Sequence, residues 1–83
     1  MKLKIISPET EQNFDVAWVD VNTHVGNFVI LKDHAPMVAT LVPQETITFC
    51  LANGKQETIT PESGIVEVKR QTVKLLLSAT PQK

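Results

Sequence analysis

Hydrophobic and polar residues alternate along much of this chain, which is the period of β-strands with one buried face. The alternation is clear in Lys2–Ile6, where lysines alternate with leucine and isoleucine, and in Ile47–Leu51. Turn-forming residues separate such segments, and no long segment has the three- and four-residue spacing of an amphipathic helix. The pattern therefore predicts an all-β domain, a sandwich or barrel of short strands without a substantial helix.

The alternation changes phase within the second hydrophobic segment. Phe14, Val16 and Trp18 share one phase, whereas Val19 and Val21 share the other. Because side chains alternate with a period of two, this change requires a bulge or a strand that passes between two sheets. Trp18 at the change fits either the core or a protein interface, and the pattern favours the core. Residues 22–27 that follow are interpreted as a loop.

The Asn-Gly step ending at Gly54 indicates a hairpin. A two-residue turn would place Ile59 opposite Thr48, on the wrong face, whereas a three-residue loop over 52–54 places Ile59 opposite Ile47. We therefore expect a type I turn followed by a bulge, with Gly54 in the left-handed conformation.

A second hairpin is predicted between segments 65–69 and 72–77. A turn at Arg70 and Gln71 pairs apolar residues on one face and opposite charges on the other. The expected pairs are Val68 with Val73, Val66 with Leu75, and Glu67 with Lys74. The single domain is expected to span 1–78, with a flexible tail at 79–83.

Composition narrows the range of functions. The net charge is −1, so no basic face for nucleic acid is indicated. The apolar runs are too short to insert into a membrane, and no signal peptide is apparent. The single cysteine, Cys50, has no internal disulfide partner.

The residues do not suggest a catalytic, metal or cofactor site. A hydrolase needs a nucleophile, a base and an orienting acid within reach of one another, and the titratable candidates are scattered: Asp20, His24, Asp33 and His34. Metal ligands do not recur at recognisable spacing. The glycines lie far apart and have turn interpretations, so no phosphate-binding loop is indicated.

Several segments resemble one family. Segment 26–41 reads Gly-Asn-Phe-Val-Ile-Leu-Lys-Asp-His-Ala-Pro-Met-Val-Ala-Thr-Leu, similar to the Gly-x-Phe-x-Val-Leu-x-x-His-Ala-Pro segment of the epsilon subunit of F-type ATP synthases. Segment 1–9 ends in a Ser-Pro-Glu turn like that family's first strand, and segment 63–68 resembles its Gly-Gly-Phe-Val-Glu-Val strand. The hairpin tip at Gly54 also lies where the family has one.

The resemblance implies a flattened β-sandwich of about ten short strands. It implies a non-catalytic rotor subunit of the central stalk that binds the gamma subunit and the c-ring, and alpha and beta indirectly. Such a subunit couples proton translocation to ATP synthesis. It lies at the cytoplasmic face of the bacterial inner membrane, peripheral to it through the complex.

The resemblance also assigns interface residues. Those expected to face gamma or the c-ring are Ser7, Gly26, Asn27, Phe28, His34, Ala35 and Pro36. Asn27 stands where many members have a Glu that meets the c-ring loop. Lys32 and Asp33 replace the usual Pro-Gly before His34, so the backbone conformation of this turn should be less tightly fixed in advance.

Two alternatives stay open. A free-standing β-sandwich adaptor would bind a protein or peptide along a sheet edge, and an enzyme would need a concave pocket with converging His and carboxylate groups. The sequence ends at Lys83, about where the family's C-terminal helical hairpin would begin, so no helix-mediated inhibition is expected.

Overall fold

The computed structural model describes residues 1–80. In this range it forms eight strands and no helix, so the predicted all-β fold is confirmed, with eight strands rather than about ten. The last residues of the expected tail, 81–83, lie outside the described part. The strands are β1 (Lys2–Ile6), β2 (Glu11–Thr23), β3 (Gly26–Leu31), β4 (Met37–Thr40), β5 (Ile47–Leu51), β6 (Gln56–Ile59), β7 (Gly64–Lys69) and β8 (Thr72–Leu77).

The strands form two layers that share the long strand β2. Layer A has the order β4-β7-β8-β1 and continues into the first half of β2. Layer B has the order β3-β2-β5-β6 and uses the second half of β2. The β1–β8 pair is parallel, and the other pairs formed by these eight strands are antiparallel.

β2 carries the predicted change of phase. Its register with β5 shifts between Val16 and Trp18, and Val16 and Val19 are both buried although they are an odd number of positions, three, apart. The extra residue turns Trp18 outward, where it is half-buried and outside the hydrophobic core cluster. The preference for Trp18 in the core was therefore wrong, because the bulge lies before this residue and not after it.

Residues 22–27 form a tight hairpin and not a loop. β2 extends to Thr23 and β3 begins at Gly26, with Thr23 and Gly26 paired. The Thr23 hydroxyl donates to the Gly26 carbonyl at 2.8 Å and accepts from the Val25 amide at 3.2 Å. Gly26 has a φ of 131°, a conformation open to glycine, which allows the chain to reverse here.

Both predicted hairpin registers are confirmed. Ile47 pairs with Ile59, and Gly54 has a φ of 95° after a turn closed by its amide on the Leu51 carbonyl at 2.8 Å. In the second hairpin the pairs are Val68 with Val73, Val66 with Leu75 and Glu67 with Lys74.

The core lies between the layers and is built from the inward residues of both. Phe49 of layer B packs at 5.1 Å between ring centroids on Phe14, on the segment of β2 that pairs with β1. The core cluster consists of Leu3, Ile5, Val16, Val19, Val21, Ile30, Leu41, Ile47, Phe49, Ile59, Val66, Val68, Val73, Leu75 and Leu77. Burial on this scale fixes both layers and leaves the outer faces, edges and turns for contact with partners.

Candidate interaction surfaces

Most of the expected interface residues lie on one continuous segment. Gly26, Asn27 and Phe28 begin β3, and residues 32–36, here called the elbow, connect β3 to β4. The Phe28 and His34 rings meet edge to face with centroids 6.4 Å apart. This contact brings the start of β3 and the elbow together, although the two residues are six positions apart in sequence.

Asn27 belongs to a polar cluster on the outer face of layer B. Its side-chain amide donates to the Asp20 carboxylate at 2.7 Å and to the Asn22 side-chain carbonyl at 3.0 Å. The Val21 main-chain carbonyl lies at 3.2 Å from the same nitrogen. Asp20 thus adds a carboxylate beside Asn27, a contribution that sequence reasoning missed. Pairing β2 with β3 across a tight turn would have revealed it, because Asp20 lies on the same face as Asn27.

The elbow is held by local hydrogen bonds. The His34 amide donates to the Leu31 carbonyl at 3.1 Å, and His34 Nδ1 donates to the Ala35 carbonyl at 2.7 Å. Asp33 has a φ of 67°, the left-handed conformation that glycine adopts freely and that aspartate tolerates better than most residues. Asp33 therefore holds a conformation at this position that is more often left to glycine.

A shallow depression of about 450 Å³ opens at the elbow. It is lined by Asp33, His34, Ala35, Pro36 and Arg70. A histidine and a carboxylate both line the depression. However, His34 Nδ1–H donates to the Ala35 carbonyl, and no Ser, Thr or Cys is among these lining residues. These five residues therefore provide no hydroxyl or thiol nucleophile to pair with the His34 ring.

Ser7 lies apart from the elbow. It follows β1, and strands β7 and β8 separate β1 from β4, the strand that begins after the elbow. Its buried hydroxyl lies 2.6 Å from the Thr10 hydroxyl. Ser7 is therefore engaged in its own turn, at a second location on the molecule.

Each layer also exposes a hydrophobic patch. The patch on layer A joins Ile6, Leu76 and Ile65 on three neighbouring strands, where Leu76 pairs with both others. Leu76 and Ile65 are 40% and 42% exposed. Sequence reasoning did not single these residues out. The signal was present in the runs Ile5-Ile6 and Leu75-Leu76-Leu77, which place apolar side chains on both faces of a strand.

The patch on layer B consists of Trp18, Val29 and Leu31. Trp18 pairs directly with Leu31, and Val29 and Leu31 are 47% and 54% exposed. The patch borders the polar cluster, since Asp20 pairs with Val29. The outer face of layer B therefore offers apolar and polar contacts side by side, as protein interfaces do.

The titration of Asp15 is perturbed on the outer face of layer A. The Lys2 ammonium lies 2.8 Å from the Asp15 carboxylate. This hydrogen bond, together with the positive charge of Lys2, holds the pKa of Asp15 below its usual range. Both side chains are exposed. The ion pair reflects the β1–β2 register, in which Lys2 lies opposite Asp15, and is not a buried functional site.

Residues 1–80 hold no group of three or more His, Cys, Asp or Glu side chains arranged to bind a metal ion. Nothing helical within the same residues has the length and hydrophobicity of a membrane span.

The comparison with protein families identifies the domain. The model of the ATP synthase delta/epsilon chain β-sandwich domain matches residues 1–81. The chain belongs to this family. The predicted resemblance to the epsilon subunit is thereby confirmed, over nearly the whole sequence. No curated protein sequence matches the chain.

Solved structures share the fold of this delta/epsilon domain. One chain of the Euglena gracilis mitochondrial ATP synthase, in a structure of OSCP, F1 and c-ring, superimposes with a TM-score of 0.81 at 20% identity. One from the Tetrahymena thermophila mitochondrial ATP synthase, in a structure of central stalk and c-ring, gives 0.78 at 17% identity. The matches cover 95% and 94% of the present chain, but 51% and 63% of the Euglena and Tetrahymena chains.

Proposed function

We propose that this delta/epsilon domain is a non-catalytic rotor component of the central stalk of an F-type ATP synthase. In this role it binds the gamma subunit and the c-ring and helps to couple proton translocation to ATP synthesis, with alpha and beta as indirect partners. The observation that carries the proposal is the family match over residues 1–81. The domain requires no cofactor for this task.

We assign the polar cluster at the start of β3 to the c-ring. Asn27 occupies the position where the resemblance places a ring-facing glutamate, and its amide is held 2.7 Å from the Asp20 carboxylate. Asp20 and Asn27 together offer one negative charge and amide hydrogen-bonding groups. A polar loop carrying a basic side chain is the complementary partner.

We assign the elbow and the hydrophobic surfaces to gamma. The elbow presents His34, Ala35 and Pro36 around an open depression. The exposed patches on the two layers provide apolar area of the kind that is buried when protein subunits associate. Ser7 borders the layer A patch through its neighbour Ile6, which agrees with its expected position near gamma.

The proposed location rests on the resemblance to the epsilon subunit together with these partners. The domain would lie at the cytoplasmic face of a bacterial inner membrane, attached through the complex and without inserting into the lipid. Since residues 1–80 form no helix, the proposal includes no helix-mediated inhibition by these residues.

The β3 edge supports the second candidate, a free-standing adaptor that binds a peptide along a sheet edge. β3 pairs with β2 on one side only, among the described strands. The layer A patch argues against this alternative, because it is a second exposed surface with Ile65 42% exposed, and an edge-binding adaptor does not need it. The family match favours the rotor.

The test is recovery of partners from native membranes. The chain carrying an affinity tag is expressed in its own organism, gently extracted membranes are bound to the tag, and the retained proteins are identified by mass spectrometry. The rotor role predicts recovery of gamma and c together with alpha and beta. A different partner in place of these subunits supports the adaptor, and recovery of no ATP synthase subunit contradicts the rotor assignment.

Charge substitutions test the surface assignment. Asn27→Lys places a positive charge at the ring-facing cluster and should reduce recovery of the c-ring. Gln56→Lys introduces the same charge on the exposed face of β6 and serves as the matched control. Equal recovery from both variants would contradict the role of Asn27. Circular dichroism on each purified variant checks that the fold is intact.

A further inference from the structure

β3 is an edge strand that lacks the features by which sheet edges are commonly protected from pairing with another chain. It pairs with β2, and no other described strand pairs with its opposite side. An exposed strand border presents backbone N–H and C=O groups to any extended segment of another chain. What this border can bind depends on which groups of β3 point outward and on whether they are protected.

The backbone hydrogen bonds at the end of β2 fix the direction of these groups. The Asn22 carbonyl accepts from the Val42 amide at 3.0 Å, and the His24 amide donates to the Thr40 carbonyl at 3.1 Å. The Asn22 carbonyl and the His24 amide therefore point away from β3. The backbone N–H and C=O groups of Thr23, which lies between them, point toward its β3 partner, Gly26. Successive residues of a strand direct their backbone groups to opposite sides.

Alternation along β3 then identifies the outward groups. The backbone N–H and C=O groups of Phe28 and Ile30 point toward β2, as those of Gly26 do. The backbone groups of Asn27, Val29 and Leu31 point to the unpaired side of β3. The Leu31 carbonyl confirms this direction, because it accepts from the His34 amide in the elbow at 3.1 Å. The outward amides of Asn27, Val29 and Leu31 and the carbonyls of Asn27 and Val29 are thus available for a further strand.

The other border strands carry the protections that sheet edges commonly have. β4 has four residues and follows Pro36, whose nitrogen has no hydrogen to donate. β6 also has four residues, and its Glu57 forms an ion pair with Lys55 at 3.3 Å. β3 has six residues and contains neither proline nor a charged side chain. Proline, charge and short length all discourage strand addition, and β3 lacks all three.

We propose that the gamma subunit binds by adding an extended strand to the β3 border. The inference rests on the proposed function and specifies its binding mode. The elbow, which directly follows β3, is already assigned to gamma, so the border is continuous with that proposed contact. The added strand would carry apolar residues at alternate positions, because it must cover Val29 and Leu31, which are 47% and 54% exposed.

Hydrogen exchange of backbone amides tests the binding mode directly. The amides of Asn27, Val29 and Leu31 should exchange rapidly in the isolated domain, and the purified gamma subunit should slow each of them about tenfold or more. The amides of Phe28 and Ile30 are bonded to β2 and are protected in both states, which makes them the internal control. Binding of gamma without protection of the three outward amides would overturn the strand addition.

A backbone substitution provides the second measurement. Val29→Pro removes one outward N–H without removing a hydrogen bond to β2, and it should weaken gamma binding about tenfold. Val29→Thr also changes this side chain but keeps the amide, so it should bind gamma more tightly than the proline variant and serves as its control. Circular dichroism and thermal unfolding establish that the proline variant is folded. Equal affinity of the two folded variants would contradict the proposal.

The outcomes separate the rotor role from the binding mode. If the wild-type domain does not bind gamma, the proposed function is wrong and the named partner of β3 is wrong with it. If gamma binds while Asn27, Val29 and Leu31 continue to exchange rapidly, the rotor assignment stands and strand addition is overturned.

Discussion

The side-chain amide of Asn27 donates a hydrogen bond of 2.7 Å to the carboxylate of Asp20 on the neighbouring strand. The contact crosses the β2–β3 hairpin and joins an acidic group to the N-terminal end of β3. It makes the polar cluster a single unit, in which a change at one residue should be felt at the other.

Asn27→Asp should therefore destabilise the domain in a pH-dependent way. Two carboxylates would face each other, and their repulsion should cost about 1 kcal/mol of unfolding free energy at neutral pH. Repulsion raises the pKa of one carboxyl above its unfolded value, so the folded state binds the extra proton better. Stability should then recover as the pH falls through that raised pKa.

The control for this prediction exchanges the two groups. Asp20→Asn combined with Asn27→Asp restores an amide facing a carboxylate and should recover part of the lost stability, because the Val21 carbonyl still loses its donor. Thermal unfolding between about pH 4 and pH 8 measures both variants. A pH-independent loss, or no recovery in the double variant, would show that the two side chains do not interact in this way.

Gly54→Val should destabilise the β5–β6 hairpin. Gly54 has a φ of 95°, and a β-branched side chain is strained there although no atom would obstruct its Cβ. The expected loss is about 1–2 kcal/mol, with a fall in Tm of several degrees. Gly54→Asn should lose less, because asparagine tolerates positive φ. Equal Tm values for wild type and the valine variant would contradict this turn geometry.

Gly64→Ala should destabilise the domain for a steric reason. A Cβ on Gly64 would lie 2.6 Å from the Leu76 carbonyl oxygen and 2.9 Å from Leu77 Cδ2. The carbonyl belongs to the β7–β8 ladder and cannot move without disturbing it, so we expect a loss of about 1–3 kcal/mol. Chemical denaturation measures it. Glu62 nearby is exposed, and Glu62→Ala should change stability by less than about 0.5 kcal/mol.

Asp15 should titrate below the usual range of aspartate because of Lys2. Its folded-state pKa is lowered, so this stabilising contribution is present above the unfolded pKa and is lost as the pH falls through the folded pKa. A carboxyl-detected NMR titration measures the shift. Lys2→Met should raise the pKa toward its usual range, whereas Lys4→Met, whose strand partner is Asn13, should move it much less.

Local pairing rules predicted the hairpins from the sequence. Placing Ile59 opposite Ile47 required a three-residue loop, and the structure has this register with Gly54 at positive φ. The rule works because a shift of one residue would move every apolar side chain to the wrong face.

The outer surfaces were less predictable. The phase change in β2 was expected, but the position of the bulge decides whether Trp18 points inward or outward, and alternation alone does not fix that position. The cluster of Asn27 with Asp20 depends on the register of the β2–β3 hairpin. That register required recognising His24 and Val25 as a tight turn inside a segment that looked like a loop.

The parallel pair of β1 and β8 has a consequence for how the protein is made. Leu3 lies beside Val73, so layer A cannot close until the last of the eight described strands has been synthesised. During synthesis β1 has only β2 as a neighbour, and the side of β1 that later receives β8 stays open. Contacts this distant in sequence are late and slow to form, so the growing chain is most prone to aggregation just before Thr72–Leu77 emerges.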